Sequence, residues 1–211
     1  EDGIRDLVRS RGLGDVYKRQ IIEIDLDDEV LGVGMPCGGK MEVYVEPFLP
    51  QPELMLVGQG RIAELVAELG RLLHFRVTVN SPGATREDFP FADQLITDDT
   101  DYQKINPGLN SYVIVLTQHK GDQQVIQAAL RGTPRYIGLV ASAKRSRLVV
   151  EYLKEGGMDA DALRQVLRAP CGLDLGGRTP EEIALSIITE VVKLRHERTG
   201  LSMMEVKQCS I

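Results

Sequence analysis

Residues 53–79 constrain this chain more than any other stretch. Glu53-Leu54-Met55-Leu56-Val57 is a short apolar run, Gly58-Gln59-Gly60-Arg61-Ile62-Ala63 follows, a helical run comes next, and Phe75-Arg76-Val77-Thr78-Val79 closes the unit. Strand, glycine turn, helix and second strand in that order open a nucleotide-binding α/β domain. Gly58 and Gly60 let backbone amides approach a phosphate at a helix N-terminus, where unpaired N–H groups and the positive dipole end favour an anion. Ala63 is small enough for close helix–strand packing. About twenty residues beyond the glycines, where a carboxylate would hold ribose hydroxyls, the second strand ends in Asn80-Ser81-Pro82-Gly83. The phosphate cradle is present and the ribose acid is missing, with Asn80 at the strand end arguing against NAD.

The remainder of this region alternates strand and helix. Strands are expected near Gln94–Thr97, at Tyr112–Leu116 and at Tyr136–Val140, and helices from Asp122 to Arg131 and through Tyr152. Short apolar strands between helices imply an α/β fold with a Rossmann-like parallel sheet and helices on both faces, over about residues 51–198. A final helix carries its own start signal, with Thr179 as N-cap, Pro180 at the first helical position and Glu182 three residues after the cap. Ile183, Ile187, Ile188, Val191 and Leu194 then fall on one face. Residues 199–211 read as a tail.

The first fifty residues are different in kind. Residues 1–20 show no sustained period and resemble translated adaptor sequence, so they are set aside as non-native, which would leave the natural chain truncated upstream of Ile21. Ile22–Leu26 and Met41–Glu46 alternate apolar and polar residues, as strands do. The loop Gly32-Val33-Gly34-Met35-Pro36-Cys37-Gly38-Gly39 joins them, and Pro47, Pro50 and Pro52 form a stiff linker. Residues 21–50 are thus a short, truncated, β-rich segment. They hold one basic and seven acidic residues, which accounts for the whole net charge of −6. That balance suggests no nucleic-acid partner. No apolar run approaches the roughly 20 residues that span a bilayer, and three scattered cysteines show no disulfide framework, so no membrane segment and a cytoplasmic setting are expected.

Among residues with chemistry to offer, Cys37 lies between Pro36 and two glycines, Gly38 and Gly39, where backbone N–H groups favour thiolate. Cys171 precedes the capped helix in Pro170-Cys171-Gly172-Leu173-Asp174 and reads as a packing residue with an open alternative as a ligand contact. Cys209 is incidental. Arg61 can add a phosphate contact to the Gly58–Gly60 turn. Gly138, Ser142, Lys144, Arg145 and Arg147 follow another strand's carboxyl end, where ligands of open sheets bind; the basic residues read equally well as a solvated face. His119 and Asp122 follow the Tyr112–Leu116 strand and can bracket a ligand group, although a helix N-cap also explains Asp122. His74 and His196 lack partners at metal-ligand spacing, and no nucleophile elbow is present for hydrolase chemistry.

Three stretches resemble the xanthine dehydrogenase accessory protein family, XdhC/CoxI. Met35-Pro36-Cys37-Gly38-Gly39 with the strand ending Glu46-Pro47 is similar to its Cys-Gly-Gly motif. Tyr136–Arg145 is similar to its strand, glycine, serine and basic segment. Ala169-Pro170-Cys171-Gly172-Leu173-Asp174-Leu175-Gly176 leading into Thr179-Pro180-Glu181-Glu182 resembles its C-terminal signature. The resemblance implies a non-catalytic accessory factor that binds the molybdenum cofactor (molybdopterin), supports its sulfuration and delivers it to a molybdenum hydroxylase apo-enzyme. It also implies a cysteine desulfurase-type sulfur donor as partner, a homodimer, and Cys37 in contact with molybdenum. The family often has His where this chain has Arg61, and Asp at the end of the second strand. An NAD(P)-dependent oxidoreductase and a nucleotide-sensing regulatory module are the alternatives.

Overall fold

The computed structural model describes residues 20–25, 39–45, 51–118 and 121–207 of the 211-residue chain. The chain divides into two units, Glu1–Pro50 and Gln51–Ile211. In the first, β1 (Gln20–Asp25) pairs antiparallel with β2 (Lys40–Val45), Ile21 opposite Tyr44 and Ile24 opposite Met41. Strand alternation groups Met41, Val43 and Val45 on one side and Lys40, Glu42 and Tyr44 on the other. Gly39 leads into β2 with φ +113°, a conformation glycine adopts without strain.

The second unit contains β3 (Glu53–Gly58), α1 (Arg61–Leu72), β4 (Arg76–Asn80), β5 (Gln94–Ile96), β6 (Ser111–Leu116) and α2 (Asp122–Ala129). Then come β7 (Tyr136–Leu139), α3 (Ala143–Glu155), α4 (Ala160–Val166), β8 (Leu167–Arg168), α5 (Pro180–Arg195) and α6 (Met203–Val206). The six strands pair parallel throughout in the order β5-β4-β3-β6-β7-β8. This is the strand order of dinucleotide-binding folds, and the expected Rossmann-like sheet is what the chain forms.

Alternation along the central strands sorts the core into two faces. Leu54, Leu56, Val77, Val79 and Ile114 meet Ala63, Val66 and Ala67 of α1 and Ile187, Ile188 and Val191 of α5. Met55, Val57, Val113 and Val115 meet Val125 and Ile126 of α2 and Val149 and Leu153 of α3. Every residue of β6 is buried, as a strand covered on both faces requires. At the amino edge of the sheet the Glu53 carboxylate accepts from Arg76 at 2.9 Å, Thr78 at 3.0 Å and Ser111 at 2.8 Å, tying β3 to both neighbours.

Two elements escape the sequence pattern. β8 has two residues, too few to show a period, and α4 is a seven-residue helix with one buried side chain, Leu163. The last helix starts where the sequence signals it. Thr179 Oγ1 accepts from the Glu182 N–H at 3.2 Å, and Glu182 accepts from the Thr179 N–H at 3.0 Å and from the Arg178 N–H at 2.8 Å. Among the described residues no helix is long and apolar enough to cross a membrane.

Hydrogen bonds from Thr179 and Arg178 hold the Glu182 carboxyl below its usual value of 4.5. Because the folded value is the lower one, this contribution is present above about pH 4.5 and fades as the pH falls through the lowered value. Thr179→Ala should cost about 1 kcal/mol at pH 7. In urea unfolding, Glu182→Gln should flatten part of the acid-side loss of stability.

Candidate functional site

The two halves of the sheet meet between β3 and β6, so the loops at their carboxyl ends frame the ligand position of such folds. Backbone packing sets this edge. A Cβ on Gly58 would stand 2.1 Å from the Leu116 carbonyl oxygen, and Gly58 itself has φ +127°. Gly60 (φ +105°) is the N-cap residue of α1 and supplies no side-chain cap. The first amides of α1 are therefore left for an anion. Gln118 lies across the turn with its Nε2 3.3 Å from the place of a Gly60 Cβ. Its φ of +53° is a strained conformation for a non-glycine residue, of the kind that concentrates at functional sites.

α5 shares this edge. Arg61 Nε lies 3.6 Å from Glu181 at the start of α5, while Arg195 at its end reaches the Leu73 carbonyl at 3.4 Å. α1 and α5 thus run parallel with their N-termini side by side. The Arg61 guanidinium also pairs with Glu64 at 3.2 Å and is more than half exposed. Such surface pairs contribute little, so a phosphate can compete for it.

The residue that faces the turn from β4 is Ser81, one position beyond the expected Asn80. Val77 and Val79 point to the α1 side, and Ser81 continues that alternation, its Oγ 3.5 Å from Gln59 Oε1 within the turn. Asn80 points to the opposite face. Its Nδ2 donates to Asp99 Oδ2 at 2.5 Å, and its Oδ1 is buried without a partner. Asp99 also accepts from the N–H groups of Gln103 at 2.8 Å and Lys104 at 3.1 Å, so Asn80 anchors the loop after β5.

Other expected site residues take structural places. Asp122 is buried in the first turn of α2, whose N-cap is Gly121, so the capping expectation fails. Its carboxylate accepts from Thr117 Oγ1 and from Arg145 Nε, the latter at 2.9 Å, joining the ends of β6 and α2 to α3. The Tyr102 phenol packs over Gly121, and burial together with Asp122 and Asp99 pushes its pKa up. Ser142 caps α3 by accepting from the Arg145 N–H at 3.3 Å, and Lys144 is exposed in the first turn, which has no acidic residue. Gly138 is buried within β7, its missing side chain making room for the Tyr136 ring, so it does not line the carboxyl edge. Cys37, Gly38 and His119 lie outside the described residues. Among the described residues no three His, Cys, Asp or Glu side chains converge to hold a metal.

Cys171 is a packing residue. Its N–H donates to the Leu139 carbonyl at 3.0 Å, and burial, then Glu190, push its thiol up to about 12. Glu190 accepts from the Tyr136 hydroxyl at 2.6 Å and from the Gly172 N–H at 2.8 Å, which clamps the loop onto α5. Gln59, Ser81, Tyr102, Thr117 and Gln118 carry no motif of their own. The glycine turn, the end of the second strand and the segment after Leu116 pointed toward the region they occupy, without singling these residues out.

Two measurements follow. Asn80→Asp sets a carboxylate against the buried Asp99; unfolding free energies should fall by about 3 kcal/mol at pH 7. Because burial, then Glu190, push its thiol up, Cys171 should alkylate at least about tenfold more slowly than a free thiol at pH 8, read by peptide mass spectrometry.

Comparison with known proteins agrees with this architecture. The chain is 27% identical over 181 residues to the uncharacterized protein YqeB of Escherichia coli (strain K12), covering 82% of this chain and 33% of that protein. It is 29% identical over 163 residues to a probable xanthine dehydrogenase subunit of Bacillus subtilis (strain 168), covering 72% of this chain and 46% of that protein. The chain therefore spans less than half the length of these relatives. The fold is shared with the crystal structure of a xanthine dehydrogenase from Bacillus halodurans, at TM-score 0.61 and 23% identity over 86% of this chain and 51% of that one. Residues 54–191 match the family profile described as the XdhC Rossmann domain, and the chain accordingly belongs to the XdhC family.

Proposed function

We propose that this protein is an accessory factor that carries the molybdenum cofactor as cargo and hands it to a molybdenum hydroxylase such as a xanthine dehydrogenase. The observation that carries the reading is the XdhC Rossmann domain over residues 54–191, and it accords with a relative named as a probable xanthine dehydrogenase subunit. The donor set of the glycine turn fits the cargo's phosphate. The uncapped amides at the start of α1 support this reading, and Arg61 and the Gln118 amide beside the turn are further N–H donors. The metal end of the cargo takes sulfur ligands, and Cys37 is the residue assigned to it, on the same protomer or on its partner in a homodimer. Support of sulfuration by a cysteine desulfurase-type donor belongs to the same proposal. The protein's own part is to bind, orient and release.

A second reading, NAD(P) binding, is favoured by the strand order. Ser81 in place of an acid at the turn weakens it, because a neutral hydroxyl replaces the carboxylate that grips ribose. NADH fluorescence titration separates the two readings, with saturable binding by the wild type favouring the second.

Protein purified anaerobically from a cofactor-producing host should contain near-stoichiometric molybdenum and release a fluorescent pterin. Cys37→Ser should lower the molybdenum content at least about tenfold while the fold, followed by circular dichroism, is unchanged. Folded wild type without molybdenum or pterin would overturn the proposal.

A further inference from the structure

We propose that the outer face of α3 is a contact between two copies of this chain, packed antiparallel about a two-fold axis. The family resemblance implies a homodimer without saying which surface forms it. The assignment of α3 rests on the charges of the helix itself and is independent of the cargo.

α3 turns Ser146, Val149 and Leu153 toward the interior. Lys144, Leu148, Glu151 and Glu155 recur at the spacing of one helix face and form a stripe on the opposite side, with Arg147 and Tyr152 flanking it. Leu148 is 52% exposed and Tyr152 51%, and the two are neighbours one turn apart. Two exposed apolar side chains would by themselves be ordinary surface.

The charges beside them are not. Lys144, Arg145 and Arg147 occupy the first half of α3, whose first turn has no acidic residue, and Glu151 and Glu155 occupy the second half. The helix dipole favours the reverse order. α5 follows that rule, with Glu181 and Glu182 in its first turn and Lys193 and Arg195 in its last. In α3 only Arg145 is compensated, by the buried Asp122. Among the described residues no opposite charge pairs with Lys144, Arg147, Glu151 or Glu155. Glu151 and Glu155 also stand one turn apart, where like charges repel. Lys154, the basic residue of the last turn, lies about a quarter-turn from the stripe.

An order that costs one helix favours an antiparallel pair. The basic half of each α3 then meets the acidic half of the other, and each helix start lies beside its partner's end. In a two-fold contact the same patch is used twice. With the axis at the level of Val150, Leu148 lies opposite the partner's Tyr152, and Lys144 comes within one residue of the partner's Glu155. An anionic ligand at the start of α3 would answer the basic half and leave the acidic half unexplained. A thirteen-residue helix is about 20 Å long and covers less than the roughly 800 Å² per partner of a standard interface. The dimer should therefore be weak, with Kd on the order of micromolar, and sensitive to salt.

Sedimentation equilibrium of the full chain tests this. The wild type should self-associate at low salt and dissociate at high salt. Lys144→Glu and Glu155→Lys should each weaken association at least about tenfold, and the double variant should restore it, because the charges are exchanged as a pair. Lys144→Glu places an acid where the dipole favours one, so its thermal midpoint at high salt should equal or exceed that of the wild type. That result separates loss of contact from loss of fold. A wild type that stays monomeric at low salt, a dimer indifferent to either single change, or a double variant that does not recover overturns the proposal. Molybdenum content plays no part in this test, so this proposal and the carrier reading can each fail alone.

Discussion

The contact on which the ligand edge depends is made by a missing side chain. Gly58 lets the end of β3 lie directly against the Leu116 carbonyl of β6, at a separation where a Cβ would fall 2.1 Å from the oxygen. That approach brings the Gly58–Gly60 turn, the start of α1 and Gln118 into one short arc. Gly70 repeats the device on the α1 face, where a Cβ would meet Leu54 Cδ2 at 2.4 Å. With both glycines in place α1 seats tightly on the sheet, and its uncapped end stays aimed at the edge where two halves of the sheet meet.

Around that edge, carboxylates act mainly as ties between elements. Asp122 joins β6, α2 and α3, Asp99 fixes the loop after β5 through Asn80 and two backbone amides, and Glu190 fastens the loop before α5 to the helix. A buried carboxylate with several donors is costly to leave unpaired, so each tie holds a loop in one arrangement. Gly60 and Gly121 leave their helices without side-chain caps, whereas α3, α4 and α5 are closed by Ser142, Asp159 and Thr179. The same chemistry thus closes some helix starts and leaves others uncapped.

Much of this was legible beforehand, for physical reasons that also explain the misses. Apolar runs of five or six residues between amphipathic helices identify a parallel sheet, because strands buried on both faces cannot alternate. Thr179, Pro180 and Glu182 mark the start of α5 because a capping box is a local interaction. β8 and α4 were invisible because they are short and held by neighbours rather than by their own pattern. The shift from Asn80 to Ser81 is a matter of parity: a strand's side chains change face at every residue, and only the register against β3 shows which one meets the turn.

By itself the sequence determined the longer elements, the parallel class of the sheet, the phosphate-type turn at Gly58 and Gly60, and the motifs that resemble the XdhC family, since all are local or periodic properties of the chain. Tertiary structure decided which of these residues meet. It turned Asp122 and Asn80 into ties, buried Gly138 beneath Tyr136 and kept Cys171 a thiol. Such roles depend on burial and on partners distant in sequence, which no local pattern records.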